Sequence, residues 1–342
     1  MMKRTLALIL ALAVAVLGFS GCAKKVEPAP TAEASPSASA PAEKTKVSIA
    51  ALNGPTGMGM VQLMQKNDVG EAANDYSIAL VGAPDEIVGK LTSGEVDIAA
   101  VPTNLAATLY NKTQGKIRIA AINTLGVLYV VQTGEEVKKV EDLEGKKIYA
   151  SGQGSTPEYA LNYILKANGL EGKVEVEYCA EHSEVVAKLA SGEAGIALLP
   201  EPFVTASKAK VENLTTALDI TQLFEDACKK EGKSGVLSMG CVVVRAEFAE
   251  QNPDALNAFL AEYQASIEYV NANNEQAAQL IADYGIVASA EIAKQALPAC
   301  NIVYIDGVTM KDSLANFFAV LLEANPASVG GQIPADDFYY VK

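Results

Sequence analysis

Apolar runs and segments with helical hydrophobic spacing alternate along most of the chain. Residues 47–52 form a β-branched, apolar run that ends in a glycine-rich turn, and apolar residues then recur three and four positions apart. Similar patterns predict further strands at 77–81, 97–101, 116–123 and 125–132, and a helix at 85–92. Because strands alternate with helices, we expect an α/β fold with a mainly parallel sheet flanked by helices.

Part of this pattern occurs twice in the sequence. Residues 88–102 recur at 186–200, with the same residues at nine positions, and the same offset lays Asn53-Gly54 over Ser151-Gly152. The second copy predicts strands and helices at 147–150, 156–168 (helix), 174–178, 183–190 (helix) and 195–199. A repeated order of strand, glycine loop, helix, strand and proline loop predicts two similar lobes with a cleft between them.

The remaining apolar patterns join and extend these lobes. Residues 125–131 and 239–244 are interpreted as two crossings between the lobes, and 241–244 as a strand. Apolar positions with helical spacing predict helices over 253–271, 275–284, 290–297 and 310–324.

The N-terminus has the pattern of an export signal. Lys3-Arg4 precedes an uncharged run over 6–17, and small residues then lead to Cys22. This arrangement resembles a bacterial lipoprotein signal over 1–22, in which Cys22 becomes the lipidated mature N-terminus. The apolar run is too short for a bilayer, which needs about 20 residues. Residues 23–45, rich in Ala, Pro, Ser and Glu, are expected to form a disordered tether.

Charge and cysteine content exclude several classes of function. The net charge of −14 would become −16 once Lys3 and Arg4 were removed, and there is no basic stripe, so nucleic acid is not an expected partner. Cys179, Cys228, Cys241 and Cys300 form no C-x-x-C pair; their spacing leaves three disulfide connectivities open, and we expect most to be small buried apolar residues. We expect no metal and no cofactor, because His182 is the only histidine and carboxylates do not cluster at ligand spacing.

Two glycine loops follow the first predicted strand of each lobe and favour a ligand site. Residues 54–59 and 152–154 do not fit G-x-G-x-x-G, and no Gly-Lys-Ser/Thr follows, so we interpret them as turns that aim N–H groups at a ligand. With the other loop tips they give the predicted ligand-binding residues: Asn53, Gly54, Thr56, Thr103, Asn104, Ser151, Gly152, Ser155, Thr156, His182 and Glu201. These tips carry no Lys or Arg, so a neutral or amine-bearing ligand matches them better than an anion, which would depend on helix N-termini.

Individual candidates keep a structural alternative. His182 is either a loop residue beside a helix start or a ligand contact, and a catalytic base is the weakest interpretation. Glu201 lies between Pro200 and Pro202 and could accept hydrogen bonds from a ligand amine. Phe203, Tyr159 and Tyr129 could form an apolar wall or belong to the core.

The chain resembles the solute-binding lipoproteins of ABC transporters with the type II periplasmic fold, in the family of sulfonate, taurine, nitrate and thiamine-pyrimidine binding proteins. Cys22 and residues 90–99, 140–148, 152–157 and 200–203 carry the resemblance. It implies two lobes joined by two hinge crossings. The first lobe is discontinuous and consists of residues 46–128 and 242–342, and the second lobe consists of residues 129–241. No Trp occurs and no Arg lies at the site loops, which departs from sites that grip sulfonate or nitrate.

The resemblance also implies function. We expect an extracytoplasmic, lipid-anchored monomer that captures a small-molecule solute and works with permease and ATPase subunits. The solute would be a nitrogen-containing heterocycle such as a thiamine precursor, or a sulfonate or taurine-like compound. Alternatives are an enzyme of the same fold, as in thiamine-pyrimidine synthesis or the menaquinone pathway, and a surface sensor. The fungal synthase's cysteine-rich motif and histidines are missing here, and the signal exports the chain away from such pathways.

Overall fold

The computed structural model describes residues 44–134 and 136–341. The predicted signal over 1–22, the lipidation of Cys22 and residues 23–43 of the predicted tether lie outside the described residues.

Eleven strands form within the described part of the chain. They are β1 (Lys46–Leu52), β2 (Asp75–Val81), β3 (Ile98–Pro102), β4 (Ile117–Leu125), β5 (Leu128–Gln132), β6 (Lys147–Ser151), β7 (Glu175–Cys179), β8 (Ile196–Pro200), β9 (Thr215–Asp219), β10 (Ser238–Arg245) and β11 (Ile302–Ile305).

Thirteen α-helices accompany these strands in the same residues. They are α1 (Pro55–Met58), α2 (Val61–Asp68), α3 (Pro84–Ser93), α4 (Thr103–Thr113), α5 (Thr156–Ala167), α6 (His182–Ser191), α7 (Phe203–Lys208), α8 (Ile220–Lys230), α9 (Ala246–Gln251), α10 (Pro253–Ala272), α11 (Asn274–Asp283), α12 (Ala290–Ala296) and α13 (Gly307–Ala324). None of the helices in the residues described is both long and apolar enough to cross a membrane.

The strands form two sheets with the same internal order. The first runs β2-β1-β3-β10-β4-β11 and the second β7-β6-β8-β5-β9. In the first sheet β1 pairs in parallel with β2 and β3, and β10 is antiparallel to both of its neighbours. In the second sheet β6 pairs in parallel with β7 and β8, and β5 is the antiparallel strand. Each sheet is therefore mainly parallel with one antiparallel strand inserted, as the α/β pattern predicts, and the first sheet has a second antiparallel strand, β11, at its edge.

The sequence repeat is also a structural repeat. Helices α3 and α6 begin and end at equivalent positions of the two copies, as do β3 and β8. Both helices end at a glycine in the left-handed conformation, with φ of 81° at Gly94 and 76° at Gly192, because a residue with a Cβ is strained there. Each copy also carries a Lys–Glu ion pair around that turn, Lys90–Glu95 and Lys188–Glu193.

The lobes are joined by two crossings. The first lies between β4 and β5, where Gly126 has no room for a side chain because a Cβ would come within 2.0 Å of Thr221 Oγ1. The second precedes β10, which begins at Ser238 and pairs with β3 and β4 of the first sheet. The chain thus returns to the first lobe before residue 242, and the predicted crossing over 239–244 is itself a strand of that lobe. Ser238 and Gly240 are weak strand formers, which hides this start in the sequence.

Apolar helices cover the sheets and connect the lobes on one side. Phe317 and Phe318 of α13 lie in the same buried cluster as strands of both sheets, and Phe317 contacts Phe224 of α8 at 6.4 Å between ring centroids. On the other face of the first sheet, Phe259 and Tyr263 of α10 stack at 5.6 Å. These layers hold the strand ends, and therefore the loops between the lobes, in fixed positions.

Candidate functional site

A cavity of about 610 Å³ lies at the carboxyl ends of β1, β3 and β8. Its wall is drawn from loops of both lobes, including the Asn53–Thr56 turn of the first and the Pro200–Phe203 segment of the second. A volume of this size suits a small organic molecule. The position matches the crevice at strand ends where open α/β sheets bind ligands.

The first lobe contributes a backbone-lined turn. Gly54 has φ 108° and ψ −160°, a conformation open to glycine alone, and this lets the chain turn sharply from β1 into α1. Asn53 N donates to Val81 O at 3.0 Å, and the Thr56 hydroxyl donates to Leu52 O at 3.3 Å. Asn53, Gly54 and Thr56, three of the predicted ligand-binding residues, line the cavity in a turn fixed by its own hydrogen bonds.

Glu201 supplies a nearly buried carboxylate to the wall. Its side chain is 5% exposed, and its two oxygens accept from Thr205 N and Thr205 Oγ1, both at 3.1 Å. Burial raises the pKa of the Glu201 carboxyl above its ordinary value, and the two bonds from Thr205 act in the opposite direction. Each carboxylate oxygen keeps a further lone pair, so Glu201 can still accept a hydrogen bond from a ligand.

His182 is the second ionisable side chain of the wall. It is the first residue of α6; its Nδ1 is hydrogen-bonded to Ser151 Oγ, and its ring lies 4.8 Å from the ring of Phe203. Loss of hydration lowers the pKa of His182, while Glu181 opposes that shift. A neutral ring that accepts the Ser151 hydroxyl at Nδ1 carries its proton on Nε2, so we assign that nitrogen as a donor.

Six predicted site residues do not line this cavity. Thr103 is fully buried at the start of α4, and its hydroxyl pairs with Ser238 Oγ at 2.9 Å. Asn104 Oδ1 accepts from Thr156 Oγ1 at 3.4 Å, so these two residues bridge the lobes. The other three form the second glycine loop and the strand before it, where Ser151 holds His182 and Ser155 Oγ donates to Gly152 O at 2.6 Å.

The loop between α11 and α12 forms a wall that sequence reasoning missed. Ile286, Val287, Ala288 and Ile292 line the cavity, and Ile286 is 8% exposed. The only signal was a short apolar run after Gly285, between two predicted helices. Of the three predicted aromatic wall residues, Phe203 lines the cavity, whereas the Tyr129 hydroxyl donates to Ala299 O at 3.1 Å and Tyr159 accepts from Asn325 Nδ2 at 3.0 Å.

The charge of the wall is unbalanced. Among the described residues no Lys or Arg lines the cavity, and Glu201 is the one carboxylate that does. No group of His, Cys, Asp or Glu in this part of the chain is arranged to hold a metal ion. Cys179, Cys228, Cys241 and Cys300 are buried free thiols outside the wall. The site therefore offers one acceptor with negative charge, one neutral imidazole and a large apolar area.

Comparison with known proteins gives one family and one fold. The model of the family described as ABC transporter, phosphonate, periplasmic substrate-binding protein matches residues 71–296. A binding protein of Brucella abortus (strain 2308) is 24% identical over 209 residues, which are 61% of this chain and 61% of that protein. The chain thus matches less than two thirds of the length of its curated relatives.

Solved structures show the same architecture at low sequence identity. An ABC transporter protein from Parabacteroides distasonis has a TM-score of 0.74 at 22% identity, covering 87% of this chain and 99% of that one. The periplasmic aliphatic sulphonate-binding protein of Escherichia coli has a TM-score of 0.66 at 16% identity, covering 85% and 92%. These similarities confirm the predicted two-lobed periplasmic binding fold, and at this identity they say nothing of the ligand.

Proposed function

The chain belongs to the ABC transporter phosphonate periplasmic substrate-binding family, and from this premise we propose that it is the extracytoplasmic solute-binding component of an ABC importer. It captures a small organic solute between its lobes and delivers it to a membrane permease that works with an ATPase subunit. The observation that carries this proposal is the cavity of about 610 Å³ walled by both lobes at the ends of their sheets.

The hinge geometry supports capture by closure. Two crossings join the lobes, and residues from both sides border the cavity, so a ligand held by Thr56 and Glu201 would link the lobes. Two rigid units that are joined by short crossings and bind the same ligand can close on it by a hinge motion. The contact between Asn104 and Thr156 already spans the cleft and would strengthen or break as the angle changes.

A binding role fits the wall better than an enzymatic one. Ser151 and His182 form a hydrogen bond that resembles a nucleophile and its base. However, Ser151 is 4% exposed and lies behind the cavity wall, so its hydroxyl orients the imidazole instead of meeting a solute. We therefore propose that no chemical step occurs in this cavity.

The proposal includes the membrane anchor and the monomeric state. Lipidation of Cys22 and the tether over 23–45 would hold the two lobes at the outer surface of the membrane. The sequence pattern of 1–22 supports this anchor. The solute is either a nitrogen-containing heterocycle such as a thiamine precursor or a sulfonate or taurine-like compound.

The test identifies the solute and its effect on shape. The full chain is purified in detergent and denatured, and released small molecules are identified by mass spectrometry; each is then added back to stripped protein. A ligand at 100 times its dissociation constant should add about 2.7 kcal/mol to the free energy of unfolding. Small-angle scattering should show a smaller radius of gyration with ligand. Identical scattering curves with and without every bound compound would contradict capture by hinge closure.

A further inference from the structure

Glu201 brings to the cavity a carboxylate that no described side chain pairs with directly. Its two oxygens accept hydrogen bonds only from Thr205, and the charge of Lys208 lowers its pKa without forming a salt bridge with it. His182 adds no positive charge while its ring stays neutral, and no cation of the described residues lines the wall. A charge buried without a partner is costly, so a ligand that brings a positive charge to Glu201 gains more than a neutral one.

Helix N-termini are the groups that could attract an anion here, and two of those at the wall carry carboxylates in their first turns. Helix α3 begins at Pro84, which lacks an N–H, and has Asp85 and Glu86 in its first turn. Helix α6 begins at His182, and Glu184 in its first turn accepts from Ala180 N at 3.0 Å. These carboxylates offset the positive ends of both helix dipoles. An oxyanion would therefore meet negative charge at these two N-termini, whereas α1, α4 and α7 carry no acidic residue in their first turns.

The rest of the wall is mainly apolar and comes from both lobes. Phe203 of the second lobe faces the cavity together with Ile286, Val287 and Ile292 of the C-terminal part. Such a surface removes apolar ligand area from water, at about 25 cal/mol per Å². The polar and apolar parts of the cavity thus require a molecule with one charged end and an apolar body.

We infer that the solute is a monocation in which a protonated amine is carried on an apolar, ring-sized body, with the ammonium seated on Glu201 and the body against Phe203 and the Ile286–Ile292 loop. This inference rests on the proposed solute-binding function and names its ligand class. It separates this site from the ligand in the family's own description, because a phosphonate would be repelled by Glu201. His182 Nε2–H is a donor for an acceptor atom on the same solute.

The test is a panel of compounds that share the same apolar bodies and differ in the charge of their polar group. Several apolar bodies (benzyl, 2-phenylethyl, 3-methylbutyl and pyrimidinylmethyl) are each presented as the amine, alcohol, sulfonate and phosphonate, in one equimolar mixture. The full chain in detergent is incubated with the mixture and separated by ultrafiltration, and retained compounds are quantified by mass spectrometry. The variants are Glu201→Gln and, as a control of equal charge change, Glu212→Gln at an exposed site of the same lobe. Gln at 201 can keep both bonds to Thr205, accepting from its N–H and donating to its hydroxyl.

The outcomes separate the ligand class from the binding function. We expect the retained compounds to be amines. In Glu201→Gln their retention should fall by at least about tenfold, because a charge-assisted hydrogen bond is lost. In Glu212→Gln their retention should be unchanged. Retention of a sulfonate or phosphonate, equal or better in Glu201→Gln, would overturn the ligand class and leave the binding function standing. If the natural chain retained no compound of any charge, the ligand class would be overturned, whereas the binding function would be judged separately by the compounds released on denaturation.

Discussion

Gly240 of β10 lies directly beneath the ligand-facing turn, and adding a single methyl group there should disturb both stability and site. A Cβ at this position would lie 2.4 Å from Thr56 Cγ2, 2.6 Å from Asn123 Oδ1 and 3.1 Å from Thr124 Cβ. Carbon atoms in packed interiors approach to about 3.5–4.0 Å, so all three neighbours must move. We expect Gly240→Ala to lower the free energy of unfolding by about 1–3 kcal/mol, the usual cost of overpacking.

The assay is urea unfolding followed by far-ultraviolet circular dichroism, with two matched variants. Gly82→Ala borders the same cavity, but no atom lies within 4 Å of its Cβ, so its free energy of unfolding should change by less than about 0.5 kcal/mol or rise slightly. Thr56→Ser removes Cγ2 and keeps the hydroxyl bond to Leu52 O. Added to Gly240→Ala, it should recover about 1 kcal/mol, because the contact with Asn123 remains.

Two results would refute this reasoning. Equal stability of Gly240→Ala and Gly82→Ala would mean that β10 and the turn adjust without cost. No recovery on adding Thr56→Ser would mean that the Thr56 methyl is not the contact that matters. With the expected recovery, the double-mutant cycle assigns a coupling free energy to the pair, and Gly240→Ala should also weaken ligand binding, since Thr56 lines the cavity.

Three further predictions concern the ionisable groups. Because burial raises the pKa of Glu201, its contribution to stability is complete below the ordinary value of 4.5 and is lost as pH rises through the folded-state pKa. In urea unfolding, Glu201→Gln should therefore gain stability relative to the natural chain as pH rises through that window. A stability difference that does not change with pH would contradict the pKa shift. His182 is the one histidine of the chain, so NMR should resolve a single imidazole whose pKa lies below 6.5, mainly because the ring has lost hydration. Ser151→Ala should raise that pKa, because it removes the hydrogen bond to Nδ1. An unchanged titration curve would argue against this bond. In a Cys22→Ser background, the thiols of Cys179, Cys228, Cys241 and Cys300 should not react with an aromatic disulfide at pH 8 until the protein unfolds, because burial raises each pKa; reaction of the native protein would contradict this burial.

Local sequence signals were sufficient for most of the repeated core. The helix predicted over 183–190 is α6, and its end at Gly192 follows from a conformation that the sequence reports through glycine. The alternation of strands and helices predicted the parallel pairing of β1 with β2 and β3, which depends on right-handed crossover connections. The type and ends of each element are set by nearby residues, and their regular alternation then indicates the pairing, so a single sequence carries both.

Features that depend on packing between distant segments were missed. The sequence predicts a loop at Thr103 and Asn104, but α4 begins at Thr103. Its N-cap residue is Pro102, which has no capping side chain, so the usual sequence signal of a helix start is missing. The short strand β11 was not predicted, since its four residues acquire a partner only when the chain returns to β4. The Ile286–Ile292 wall likewise becomes part of the site through tertiary contact alone.

The repeat explains why the site is asymmetric. Equivalent positions of the two copies line the same cavity: Pro84 with His182, and Pro102 with Pro200. Thus the duplicated scaffold supplies two facing walls of one shape. At the next equivalent pair the copies differ, because Thr103 is fully buried against Ser238 whereas Glu201 reaches the cavity. Both ionisable side chains of the wall therefore belong to the second copy, so the second lobe should determine which charge is accepted, and the first lobe and C-terminal loop should determine the shape of the apolar body.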